Sequence, residues 1–464
     1  MHWADRRVCV CAPADCSIHL HSSRASKSGG VMDVYRGTVV HCLRPQEMEL
    51  LPDHLIGVEN GQIKFVEPGE RLEELKEQHS FTVHTLPNSQ FLMPGLVDAH
   101  NHPSQYSYTG TGYDLSIQQR LEMFKIPTEA KFADIETART IYQKAVRRSL
   151  LNGTTTASYL ATVHLDSTME LCRICADAGQ RVHVGKVNMD HEQTKNSTQH
   201  SVEETRKFIK SVREMKNPLM EPAVAPRFAS TCSQPLLKAL GDLASELAVP
   251  IHSHLGQQRE EVTRLLQDNP SSRNPAHLFE MAGMLNSRTY MAHCVYTTEQ
   301  EVELLRERQV GVVHCPNSNF SLRSGCLDVR GLLHCGVTKI ALGTDVSGGY
   351  TSSILDAMRC ALHTSKAVCF KNDGQHYDPL TLPEVLYMAT MGGASVLGLD
   401  AKIGNFQVGK EFDALIIDTA APCGNPVFDL FENDTNKDKV SKFFYLGDDR
   451  NIVSRFVAGK KIIV

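Results

Sequence analysis

From residue 91 onward, short apolar runs alternate with longer helical patterns, and this alternation constrains the fold more than any other feature of the chain. Strands separated by helices cannot pair as hairpins, so they return as repeated βα units in a parallel sheet. The runs end at 96–100, 154–159, 182–187, 223–228, 250–254, 290–293, 311–315 and 339–345, which makes eight. Eight such units suggest closure into a TIM-type (β/α)8 barrel over residues 91–399. An open doubly wound sheet is the alternative, but no glycine-rich dinucleotide fingerprint follows the early strands. Two helix starts carry the S/T-x-x-E signature of a capping box, Ser201 with Glu204 and Thr298 with Glu301.

The two ends of the chain read differently. Segments 55–58 and 62–66 flank Asn60-Gly61, a strong hairpin signal, and 34–40 precedes them as a further strand. Strand character returns at 412–417 and 455–464, so residues 32–90 and 400–464 are expected to join into a small β-sandwich domain beside the barrel. Residues 1–31 are rich in Ser, Arg and Gly and read as a disordered extension, with Met32 a second candidate start.

Composition narrows the partners. The chain has 464 residues, 41% of them hydrophobic and 22% charged, with a net charge of -5, which is unlike the basic face of a nucleic-acid binder. No run reaches the roughly 18 to 20 apolar residues of a membrane span, and no secretory block opens the chain, so a cytosolic protein acting on small molecules is expected. Fourteen cysteines are scattered over the whole length, which suggests free thiols in a reducing compartment. The tract Cys9, Cys11, Cys16 matches no standard zinc finger.

The chemistry gathers at the predicted strand ends. His100 and His102 are two apart on an extended segment, so their imidazoles face the same way and can share one metal ion. An HxH pair alone is often surface or core histidine, but later strands end in His254, His293 and Asp345. The carboxyl ends of barrel strands are where such enzymes place their sites. Imidazole and carboxylate donors suit zinc, which lowers the pKa of a bound water toward about 7. Asp345 can take that water's proton, while His293 is either a fourth nitrogen ligand or stands back to orient the water.

The strings PGLVDAHNH, MAHC, LGTDVSGGY and GNFQVGKEFDALI resemble the amidohydrolase superfamily. SQYS at 104–107, RR at 147–148, NGTTT at 152–156, PRF at 226–228, HCPNSN at 314–319 and YLGDDRNI at 445–452 narrow the resemblance to the guanine deaminase family, from about residue 34 to the C-terminus. The resemblance implies one zinc per chain on His100, His102, His254 and Asp345, with His293 beside the water or substrate. It implies hydrolysis at C2 of guanine to xanthine and ammonia by a homodimer. It places Ser104, Gln105, Arg227 and Phe228 on the purine, together with His254, position 257 and Asp345. An amide reads a base edge, a guanidinium offers donors, and a phenyl ring offers a stacking face. Arg227 as a structural ion-pair partner and Phe228 as core packing are the plainer readings. Another aminopurine, a pterin or a triazine is a further substrate reading.

The chain departs from the family pattern where it matters most. The family's His, apolar, Ser, Glu reads here as His254, Leu255, Gly256, Gln257. A glutamine amide hydrogen-bonds a ring nitrogen but cannot give up and regain a proton near neutral pH, which suggests a catalytically impaired purine-binding protein or scaffold as the alternative. Glu260 and Glu261 lie one helical turn on and read as a solvated helix face. Gln119 and Arg120 replace an acidic residue and a tryptophan, and Pro103 stiffens the turn after His102.

Overall fold

In the computed structural model, residues 32–190, 197–371, 377–420 and 426–464 are described. The expected extension at 1–31 and its cysteine tract lie outside them. All eight predicted segments are strands: Leu96–Asn101, Thr154–Leu160, Arg181–Asn188, Met220–Pro226, Ile251–Leu255, Thr289–His293, Gly311–His314 and Ile340–Leu342. They pair in sequence order and in parallel. Around the ends of the first and eighth strands, Asp345 N–H donates to the His100 carbonyl at 2.8 Å and His102 N–H to the Val346 carbonyl at 3.1 Å, so the last unit is stitched to the first. The eighth strand is shorter than 339–345 because the backbone turns toward the left-handed region at Asp345, φ 46°.

The chain ends meet in one mixed sheet of eight strands, Met32–Arg44, Glu47–Glu59, Gln62–Pro68, Phe81–Thr85, Gln90–Pro94, Ala414–Asp418, Ile452–Val457 and Lys460–Lys461. Ala414–Asp418 runs antiparallel to Gln90–Pro94 and joins the two halves. The Asn60-Gly61 hairpin forms as expected, with both residues at positive φ. Its apolar side buries Val39, Ile56, Ile63, Leu92, Phe412 and Phe456. Arg181, at the start of the third barrel strand, donates to Asp413 at 2.9 and 3.0 Å and to Glu411 at 2.6 Å, tying the barrel's floor to this sheet. Where the sheet hands over to the barrel, a Cβ on Gly95 would lie 1.9 Å from Thr155 Oγ1, so no larger residue fits.

The Thr298 and Glu301 capping box opens the helix Glu299–Glu307 as expected. The Ser201 expectation is corrected. That helix is Thr198–Glu214, capped by Ser197, so Ser201 sits inside it and is buried. Its hydroxyl accepts from Asn188 Nδ2 at 2.9 Å, and Glu204 faces Lys186 at 3.1 Å instead of the helix start. Among the described residues, no helix is long and apolar enough to cross a membrane.

Candidate metal and substrate site

At the carboxyl ends of the strands, His100, His102, His254 and Asp345 offer donor atoms that all lie within 4.8 Å of one another. Asp345 Oδ1 stands 3.2 Å from His100 Nε2 and 3.3 Å from His102 Nε2, while His102 Nε2 and His254 Nε2 face each other at 3.2 Å. Burial pushes the His102 imidazole down to about 4 and that of His254 well below its usual range, so both stay neutral and keep a lone pair. Asp345 is driven upward by burial, but the adjoining His100 and His102 imidazoles outweigh this and hold the carboxyl well below the ordinary range. The His254 Nδ1 proton is held by the Arg227 carbonyl at 2.6 Å, which leaves Nε2 free to coordinate. Neutral nitrogen donors converging with one anion fit a divalent cation such as zinc.

His293 stands beside this set. Its Nε2 is 3.6 Å from Asp345 Oδ2 and makes no hydrogen bond, while its Nδ1 lies 3.0 Å from Asn319 Oδ1, which requires the proton on Nδ1. Burial lowers this imidazole to about 4. His293 and Asp345 both take positive φ, 75° and 46°, a conformation few side-chain-bearing residues adopt outside functional sites. Ser318 donates to Asp345 Oδ2 at 2.6 Å. A Cβ on Gly348 would meet both of those oxygens at 2.4 Å, so the backbone's close approach needs glycine.

The residues expected on the purine line one flank. Phe228 is half-buried and stacks on His254 with ring centroids 4.2 Å apart, so it faces the site instead of filling the core. Arg227 is buried and ion-paired with Glu129 at 2.5 and 2.7 Å, yet its Nε has no partner. The plainer ion-pair reading of Arg227 is therefore correct in part. Gln105 also donates to Glu129, at 3.0 Å, and Ser104 is buried with its hydroxyl unpartnered. Burial pushes the Glu129 carboxyl up, but Arg227 outweighs it and brings the group to about 2. Glu129→Gln should lower stability by about 3 to 5 kcal/mol, because it strands a buried guanidinium. The midpoint of chemical unfolding checks this; an unchanged midpoint would show that Arg227 needs no partner.

Gln257 is buried just beyond the strand that carries His254, after a turn in which Gly256 takes φ 56°. The solvated-face reading holds for Glu260 and fails for Glu261. Glu260 is exposed, whereas Glu261 is half-buried 3.4 Å from Ser230 Oγ, and burial raises its carboxyl to about 7. Lys125, 5.4 Å over the Phe228 ring, is the cation that acts on it. Burial lowers Lys125 to about 8. The proton on Glu261 is held more tightly in the folded chain than at the ordinary 4.5. Its contribution to stability is thus present below about 4.5 and lost up to about 7. Relative to Glu261→Gln, the wild-type chain should lose stability between pH 4.5 and pH 7 and level off above that. Parallel curves across that range would refute the burial of this carboxyl.

The departure at Arg120 is a rebuilt wall. Its side chain is buried, donates to the Ser347 carbonyl at 2.5 Å and hydroxyl at 3.0 Å, and lies 4.1 Å over the Tyr113 ring. Pro103 opens the 3-10 turn Pro103–Tyr108, which carries Ser104 and Gln105 toward Glu129.

Residues 91–462 match the amidohydrolase family. The guanine deaminase of Mus musculus is 41% identical over 441 residues, 93% of this chain and 96% of its own. The chain belongs to the amidohydrolase family, among the guanine deaminases. The crystal structure of guanine deaminase from C. acetobutylicum with guanine in its active site aligns with a TM-score of 0.85 and 30% identity over 93% of this chain and all of that one. An adenosine deaminase from Xanthomonas campestris with bound zinc aligns at 0.78 and 27% identity, over 92% of each chain. Three contributors to this amidohydrolase site have no sequence reading of their own: Glu129, Ser318 and Asn319. The last two lie inside HCPNSN, so the string signals their place and only geometry shows what they hold. Nothing in the sequence around Glu129 distinguishes it from a helix-surface carboxylate.

Proposed function

We propose that this protein hydrolyses guanine to xanthine and ammonia, using a single zinc ion held by His100, His102, His254 and Asp345. The observation that carries this is the convergence of those four donors within 4.8 Å, next to a flank formed by Arg227, Gln105 and the Phe228 ring. It agrees with the guanine-bound structure that the chain resembles. When bound, zinc acts as a Lewis acid and brings the pKa of a water toward about 7.

The chain's own residues do the rest. Phe228 offers a face for the purine plane, and Arg227 and Gln105 give donors and an acceptor for its edge. Glu129 keeps both aligned before substrate arrives, so little ordering is left for binding. The water oxygen ends on C2, one water proton on the ring nitrogen and the other on departing ammonia, so no oxidant or reductant is needed. His293 Nε2, kept free of protons by the Asn319 contact, orients the water, and Asp345 Oδ2 receives its proton. Gln257 hydrogen-bonds the ring nitrogen without transferring a proton, so proton delivery limits the rate. A purine-binding scaffold without turnover draws no support from the comparisons. The same reading carries a cytosolic homodimer, checked by sedimentation and cell fractionation.

The test is loss of guanine absorbance with stoichiometric ammonia, measured alongside zinc content. Zinc-loaded protein that releases ammonia from another aminopurine, a pterin or a triazine but not from guanine would overturn the substrate assignment.

A further inference from the structure

The interior of a barrel is usually filled by layers of branched apolar side chains. Beneath this site one layer is polar. His252 Nε2 lies 2.7 Å from His100 Nδ1, and His252 Nδ1 lies 3.1 Å from Ser158 Oγ. Ser158 Oγ is 2.8 Å from the Tyr290 hydroxyl, which stands 3.5 Å from His183 Nδ1. The side chains of this row are all buried, and they come from the fifth, second, sixth and third strands, so the row crosses the barrel. Buried polar networks are tolerated only where each member has a partner, and here each hands a hydrogen bond to the next.

We infer that His252, Ser158, Tyr290 and His183 form a one-way hydrogen-bond chain that fixes the tautomer and ring orientation of His100, making His252 a positioning residue for the metal. The inference rests on the reading of His100 as a ligand. Coordination through Nε2 requires the His100 proton on Nδ1, where it donates to His252 Nε2. His252 must then carry its own proton on Nδ1 and donate to Ser158, Ser158 to Tyr290, and Tyr290 to His183. Reversing either bond that His252 makes would put a proton on His100 Nε2, the atom facing Asp345 at 3.2 Å. A cation at the mouth would thereby set the direction of both bonds that His252 makes, and the two hydroxyls beyond it are free to pass the donation on.

The test uses full-length, zinc-loaded protein, a competing chelator, and the visible spectrum of the cobalt-substituted form. His252→Leu removes the acceptor and is expected to weaken zinc affinity about 10- to 100-fold and to shift the cobalt bands, while His252→Gln, whose oxygen accepts from His100 and whose amide donates to Ser158, stays within about threefold of wild type. Metal-free His252→Leu protein with a wild-type melting temperature and wild-type zinc affinity would overturn the proposal. If His252→Leu does not fold, Tyr290→Phe combined with Ser158→Ala decides: weakened affinity supports the chain, and unchanged affinity sinks it. Wild-type protein that binds no zinc removes the ligand reading and this proposal together. Zinc bound equally by wild type and His252→Leu removes the proposal alone.

Discussion

Gln257→Glu is expected to raise kcat on guanine by about 10²- to 10⁴-fold, the range that general acid–base help usually supplies. The substitution exchanges an amide for a carboxyl of nearly the same shape, so packing around this buried position should hold. The gain belongs in kcat and not in KM, because in the proposed reaction the amide makes the hydrogen bond to bound substrate and lacks only the transferable proton. Steady-state kinetics on zinc-loaded wild type and variant give both parameters. Equal kcat values would show that the proton travels by another route, and Glu261, with its carboxyl raised to about 7, would be the first place to look.

Asp345→Asn should abolish turnover, with the loss of a proton acceptor alone costing about 10²- to 10⁴-fold. The asparagine keeps the shape but removes the one anion among the four donors, so zinc content should fall as well. Two histidines lie within 3.3 Å of Oδ1, and an amide there offers them no charge. Metal analysis separates the two effects, since a variant that keeps a full complement of zinc and yet is inactive has lost only the acceptor. Full activity would remove Asp345 from the mechanism. Treating wild type with a chelator should lower its melting temperature, because a ligand at about 1,000 times its Kd adds roughly 4 kcal/mol to the folded state.

The barrel and the gathering of the four candidate donors were legible because they rest on local patterns. Apolar runs bounded by turns mark strands, and His100, His102, His254, His293 and Asp345 stand at the ends of such runs. What escaped depends on orientation. Ser201 with Glu204 fits the capping signature, yet the helix starts a turn earlier at Ser197, where no glutamate follows, and the buried Asn188 claims the Ser201 hydroxyl. Glu260 and Glu261 are neighbours in sequence, and only the turn at Gly256 decides which of them is buried. Glu129 has no motif because its function lies in holding two residues from distant segments. His252 shares a strand face with His254, but its partner is brought by another strand, and no spacing rule reaches across the barrel.

Arg181 sets a limit on modularity. The side chain is almost fully buried, and its countercharges come from Asp413 and Glu411, more than two hundred residues later. A gene fragment ending before those acids would encode all four candidate metal donors but leave an arginine without countercharge in the barrel's floor, at a cost of about 3 to 5 kcal/mol. A catalytic half excised at residue 400 should therefore be less stable than the whole chain unless those acids are supplied again. A fusion or circular permutation should leave the tail able to reach the barrel it neutralises.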